Sequence, residues 1–193
     1  MSKVTLLFPH QLYHEHPAIQ LDVPVYLIEE DLYFTQYPFH QAKLVFQETL
    51  MDIYQRLKEL HIVLPPLTAP VAAYVSFVQT GNLVFVSGHI AKQDGNPWVG
   101  QLGTNMDTAL GQIAARSVAI DLLGTLHVAT GGDLHRIKRI VKVMSLVNSS
   151  PEFTEHHLVT NGCSELLGQV LGEACTHARS AFGVAQLPRG ACV

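Results

Sequence analysis

No glycine precedes Gly81, and all 14 glycines of this 193-residue chain lie at or beyond it, while nine aromatic residues crowd between Phe8 and Tyr54. Glycine supplies the positive-φ corners that tight turns and hairpins need. A chain that uses none in its first 80 positions and many afterwards is built from two pieces of different architecture. The division predicts units at 1–50 and 51–193, with the joint somewhere within 47–62.

The first piece reads as strand, loop, strand, helix. Val4 to Phe8 and Val23 to Glu30 are continuous apolar runs, the pattern of buried parallel strands. From Tyr37 the pattern becomes helical, with Leu44, Leu50, Ile53, Tyr54, Leu57 and Leu60 at three- and four-residue steps. This is the short β-β-α opening of an α/β domain, too small to complete a doubly wound sheet. The words "VTLLFPHQLYHEHPAIQ" and "VYLIEEDLYFTQYPFHQAKLVFQ" resemble the N-terminus of cryptochrome/photolyase-related flavoproteins. In that family the flavin and DNA are held by a downstream helical part that has no counterpart in this sequence, so the resemblance implies a fragment without photolyase activity or bound flavin.

The second piece reads as α+β. Pro65, Pro66 and Pro70 interrupt regular structure after the first helix. "AYVSFVQTGNLVFVSGHIA" supplies two strands joined across Thr80-Gly81-Asn82, a hairpin signal. A polar, glycine-rich loop from Lys92 to Gly103 leads to a helix capped near Asn105 or Asp107, with Leu110, Ile113, Ala114, Ser117, Ile120 and Leu123 as its expected inner stripe. Gly131-Gly132 ends it. "RIVKVMSLVN" alternates as a strand, with Val141, Val143, Ser145 and Val147 on one face. A second helix runs to about Leu171, "RSAFGVAQ" is the next strand, and a further one begins at the end of the sequence. This order implies a mainly antiparallel sheet with two helices packed on one face.

Composition narrows the function classes. Hydrophobic residues make up 48% and charged residues 15%, enough to build a core. A net charge of −4 gives no pull toward nucleic acid or anionic membrane, and no run approaches the roughly 18 consecutive apolar residues of a membrane span. Cys163, Cys175 and Cys192 are odd in number and lack CxxC spacing, which argues against a disulfide framework or zinc site and fits a reducing, cytoplasmic setting. Small metabolites and protein partners remain.

Arg179 is the sharpest single residue. A guanidinium cannot shed its charge and presents a rigid fork of donors, so on an apolar strand it needs an anionic partner. An ordinary salt bridge at a sheet edge satisfies that need as well as a ligand carboxylate does. The histidines say less. His10, His14 and His16 with Glu15 have the residue types of a metal site, but alternate histidines in a loop are ordinary surface residues. His156 and His157 are neighbours on a predicted helix and point in different directions. No metal or organic cofactor is called for.

The words around Arg179 add a family. "APVAAYVSFVQTGNLVFVSGHIA", "IVKVMSLVNSSPEF" and "HARSAFGVAQLPRGACV" together resemble the RidA/YjgF family, small proteins of the chorismate-mutase-like fold, from about residue 51 to 193. The resemblance implies homotrimers with pockets between subunits, and the best-known members hydrolyse reactive enamines and imines of amino acids to keto acids and ammonia. It implies that Arg179 clamps the substrate carboxylate, that Tyr74 hydrogen-bonds in the same pocket as a second catalytic residue, and that Ala181 and His89 line the substrate site. Active members often carry cysteine where Ala181 stands and glutamine where His89 stands. "VNSSPEF" replaces their Asp/Asn-rich turn and leaves a family asparagine contact without a counterpart there. The family's water-activating glutamate follows the arginine by 15 residues, a count that reaches position 194, one past Val193. Two readings therefore stand side by side: an imine deaminase, and a non-catalytic trimer that binds small carboxylates. A photolyase-related fragment is the third.

Overall fold

The computed structural model describes residues 52–67 and 74–193, together with the backbone of two short strands nearer the start. The chain divides into two compact units, Met1–Glu48 and Thr49–Val193. In the first, β1 (Val4–Thr5) pairs antiparallel with β2 (Gln20–Leu21), where a parallel strand was expected for Val4. The rest of the photolyase-like reading, and the histidines at 10, 14 and 16, lie outside the described residues.

The second unit opens with α1 (Ile53–Glu59), whose N-cap Asp52 accepts a hydrogen bond from the Tyr54 amide. The expected hairpin follows as β3 (Phe77–Thr80) and β4 (Leu83–Val86), closed by Gly81 at φ +55°. The loop after it is itself a small hairpin, β5 (Lys92–Gln93) and β6 (Asn96–Pro97), turning on Asp94 and Gly95 at positive φ. Helix α2 (Thr108–Ala129) is capped by Asp107, which accepts from the Leu110 amide, and ends at Gly131 and Gly132, both at positive φ. Strand β7 (Lys142–Asn148), helix α3 (His156–Leu171) and strand β8 (Ala178–Val184) complete the series.

Two expectations need correction. β7 and β8 form the longest described ladder and run parallel, in register from Lys142 against Ala178 to Asn148 against Val184. The 16-residue α3 between them is the reason, because a parallel pair needs a crossover to carry the chain back to its starting edge. Among the described strands of this unit the sheet is therefore not mainly antiparallel but a set of two-stranded ladders, two antiparallel and one parallel.

The inner stripe of α2 also differs. Ala114 and Leu123 are buried as expected, but Leu110 and Ile113 face outward, while Gly111, Ala115, Ala119, Gly124 and Thr125 are buried. The cause is close approach of α3. A Cβ at Gly162 would stand 1.9 Å from the Gln112 carbonyl oxygen, and one at Gly111 would stand 2.9 Å from Val159. Only small residues let two helix backbones come this near, so the larger apolar side chains are displaced from the seam. Though α2 has the length and apolar content of a membrane span, it contains Arg116 and Asp121, and its small-residue face is part of the core.

That core is built from Leu123 and Ala119 of α2, Val159, Leu166, Leu167 and Val170 of α3, Val147 of β7, and Leu102 and Leu134 between elements. Fully burying side chains of this size stabilises the fold by roughly 1.5–3 kcal/mol each before entropy is counted. The last residues belong to it too. Ala191, Cys192 and Val193 are buried between the β5–β6 hairpin and the end of β7. The Ala91 amide donates to the Val193 carbonyl at 2.8 Å, and the Asn148 amide to the Cys192 carbonyl at 2.9 Å.

Candidate functional site around Arg179

β8 fixes where Arg179 points. Its register partner is Val143, and the same side of the ladder carries Ser145 against Ala181 and Val147 against Gly183. Ser145 and Val147 are buried, so Arg179, Ala181 and Gly183 share the side on which β7 meets the core. The guanidinium reaches α3, where Nη1 donates to Asn161 Oδ1 at 2.8 Å and to Ser164 Oγ at 3.2 Å. Both acceptors are neutral. No described carboxylate forms an ion pair with Arg179, whose positive charge is left uncompensated. The salt-bridge explanation of this arginine is therefore not realised among the described residues.

Asn161 is a residue that sequence reasoning missed. The resemblance points to the turn after β7 for an asparagine contact, whereas the arginine bonds to an amide one and a half helical turns into α3. The signal was available: Asn161 and Ser164 stand three apart in "NGCS", the spacing that places two side chains on one helix face.

The surroundings keep other groups neutral. His177, two residues ahead of the arginine, has a buried Nε2 with no hydrogen-bond partner, and burial together with the Arg179 charge pulls its pKa down. Cys163, between the two arginine-holding residues of α3, is buried, and burial pushes its thiol up to about 11. It is a packed hydrophobe rather than a thiolate. All three cysteines are free and buried.

The other expected residues are dispersed. Ala181 lies on the Arg179 side of β8. Tyr74 is 57% exposed and sits in a bend three residues before β3, whose described ladder partner is β4, while Arg179 is on β8, which pairs with β7. His89 is turned onto α2, where Nε2 shares a 3.1 Å hydrogen bond with Thr125 Oγ1, and burial pulls its pKa down. A concavity of about 380 Å³ lies farther along β8 and is lined by Ser149, Phe153, His156 and Gly183 among others. There Ser149 Oγ and His156 Nε2 share a 2.9 Å hydrogen bond, an engagement of His156 that its position beside His157 on a helix does not foretell.

Comparison with known proteins gives the family. Residues 54–192 match the family described as "YjgF/chorismate mutase-like, putative endoribonuclease". The chain is 48% identical over 139 residues to Protein TCP17 of Trypanosoma cruzi, spanning 71% of this chain and 86% of that protein. Among solved structures, Atu1372 of Agrobacterium tumefaciens, a protein of unknown function, is 43% identical with a TM-score of 0.67, covering 77% of this chain and 93% of its own. A Shewanella oneidensis protein described as an endoribonuclease of the same provisional kind is 26% identical with a TM-score of 0.70, covering 74% and 94%. From the matched segment and the shared fold, the chain belongs to the YjgF/RidA family of chorismate-mutase-like α+β proteins.

Proposed function

We propose that this chain binds a small carboxylate metabolite through Arg179, and that it is related in activity to the imine deaminases of its family, which hydrolyse imino acids to keto acids and ammonia. The observation that carries the reading is the uncompensated guanidinium. Asn161 and Ser164 occupy one nitrogen with neutral acceptors, which orients the fork and leaves its charge for an incoming carboxylate. In this reading Tyr74, Ala181 and His89 line the same site once subunits assemble, because the β3–β4 hairpin that Tyr74 precedes and the β7–β8 ladder that carries Arg179 are not paired with each other among the described strands.

A homotrimer is part of the proposal. Val78 and Phe85 are cross-strand partners on the β3–β4 hairpin and are 55% and 61% exposed, while Met144 and Phe182, on the side of β7–β8 opposite Arg179, are 64% and 44% exposed. Apolar exposure of this kind marks protein contact surfaces. A cytoplasmic setting accords with three free thiols.

The binding-only alternative has its own support. Ala181 supplies no thiol, and no described Asp or Glu pairs with Arg179 to act as a base on a bound imine. One experiment separates the two. An amino-acid oxidase generates an imino acid, and its loss is followed with and without this protein, with keto-acid binding measured by calorimetry. Faster loss that disappears in Arg179→Ala supports the deaminase. Keto-acid binding that needs Arg179, without faster loss, supports the binding module. No binding and no acceleration overturns both.

A further inference from the structure

The β7–α3 turn and β8 build a second reactive arrangement away from the Arg179 guanidinium. Ser149 immediately follows β7, and its backbone is held from both sides. Its carbonyl accepts from Gln101 Nε2 at 3.4 Å, Leu102 bridges to it, and the next amide, that of Ser150, donates to the Leu102 carbonyl at 2.9 Å. His156 is the first residue of α3, and its ring packs edge-to-face on Phe153 with centroids 5.2 Å apart. Two independently positioned elements thus bring Ser149 Oγ and His156 Nε2 to 2.9 Å, within the reach that a general base needs to take a hydroxyl proton.

Gly183 keeps the pair open. A Cβ there would stand 2.6 Å from Ser149 Oγ and 2.7 Å from His156 Nε2, so any side chain at this position would sit on the reactive atoms. The concavity in front of them holds about 380 Å³, with Pro151, Phe153, Val184 and Ala185 as its apolar walls and no charged side chain in its lining. That volume lies in the range of small-molecule sites. Arg179 is four residues earlier on the same strand side, about 13 Å away by strand rise, so the two sites take different parts of a ligand or different ligands.

We infer that Ser149 and His156 form a nucleophile–base pair that accepts small, uncharged acyl esters. Ser149 Oγ forms a bond to the acyl carbon as its proton passes to His156 Nε2. The ester C–O bond breaks as that proton moves to the departing alcohol oxygen. Water then attacks the acyl carbon and gives a proton to Nε2, the acid leaves, and the serine hydroxyl is restored, so that the net reaction is ester plus water to acid plus alcohol. No described carboxylate engages the other ring nitrogen, so this is a dyad without the orienting acid of a triad. Slow deacylation and an accumulating acyl-enzyme are the expected consequences.

The probe is p-nitrophenyl acetate with the full chain, followed by p-nitrophenol release and peptide mass mapping. The expected result is a burst near one equivalent, with an acetyl group on Ser149. Ser149→Ala and Gly183→Ala each lower the burst rate at least tenfold. His156→Gly lowers it and added imidazole restores it, which a merely structural histidine would not show. Acetylation confined to lysines, an undiminished burst in Ser149→Ala, or no imidazole rescue in a His156→Gly variant with native circular dichroism overturns the assignment.

Discussion

Asn161 Oδ1 accepts a hydrogen bond from Arg179 Nη1 at 2.8 Å across the α3–β8 contact. A neutral amide oxygen restrains the guanidinium without cancelling its charge. Asn161→Ala is expected to leave the fold intact and weaken keto-acid binding about fivefold, equivalent to about 1 kcal/mol for one charge-assisted hydrogen bond at an exposed site. Arg179→Ala should lose binding altogether. Calorimetric titration with pyruvate reads both, and an Asn161→Ala affinity equal to wild type would remove the amide from the site.

The α2–α3 seam gives a stability prediction. Alanine is the better helix former by about 1 kcal/mol, yet at Gly162 its Cβ would be 1.9 Å from the Gln112 carbonyl oxygen. Backbone cannot swing aside as a flexible side chain does, so the clash outweighs the propensity gain. Gly162→Ala is expected to lower unfolding free energy by about 2 kcal/mol, read as a lower urea midpoint. At Gly168, where a Cβ would meet nothing within 4 Å, the same change should be neutral or stabilising.

A histidine links α1 to the turn after α2. His135 Nδ1 meets Asp133 Oδ1 at 2.8 Å and its Nε2 meets Asp52 Oδ1, and these two hydrogen bonds hold the His135 pKa above its ordinary value. The His135 hydrogen bonds likewise hold Asp52 and Asp133 below theirs. A raised histidine stabilises the fold fully below its unfolded pKa and loses that contribution as pH rises through the folded one. The lowered carboxylates contribute above their unfolded pKa and fail as pH falls through their folded values. The window of support therefore lies between the carboxylate and histidine ranges. His135→Gln should lower Tm more at about pH 5.5 than at about pH 8.5, and an equal loss at both would refute the link.

The thiols should be silent in the native state. Cys163, Cys175 and Cys192 are buried and burial raises the pKa of each. Ellman's reagent at about pH 8 is expected to react with none of the three until denaturant is added, and then with all. Rapid native reaction of Cys163 would mean that the α3–β8 contact opens readily.

Much of the second unit was legible in the chain because its signals are local. The Thr80-Gly81-Asn82 corner, the Asp107 cap, the Gly131-Gly132 stop and the alternation through Val143, Ser145 and Val147 each express a preference of a few neighbouring residues. Arg179 stood out for a similar reason, a permanent charge in an apolar strand. What failed was long-range. The inner face of α2 could not be read from its apolar spacing, because that face is chosen by how closely α3 approaches.

The sequence by itself determined the family, the order of helices and strands, and the one residue whose charge demands a partner. Only the tertiary structure decided that β7 and β8 run parallel, that Asn161 and Ser164 hold the arginine from α3, that His89 turns onto Thr125, and that Ser149 meets His156 beneath an open Gly183. Element type depends on residues a few positions apart, whereas partners 7 to 36 positions apart in sequence are chosen by packing, which seats each side chain only after the backbones have closed on one another.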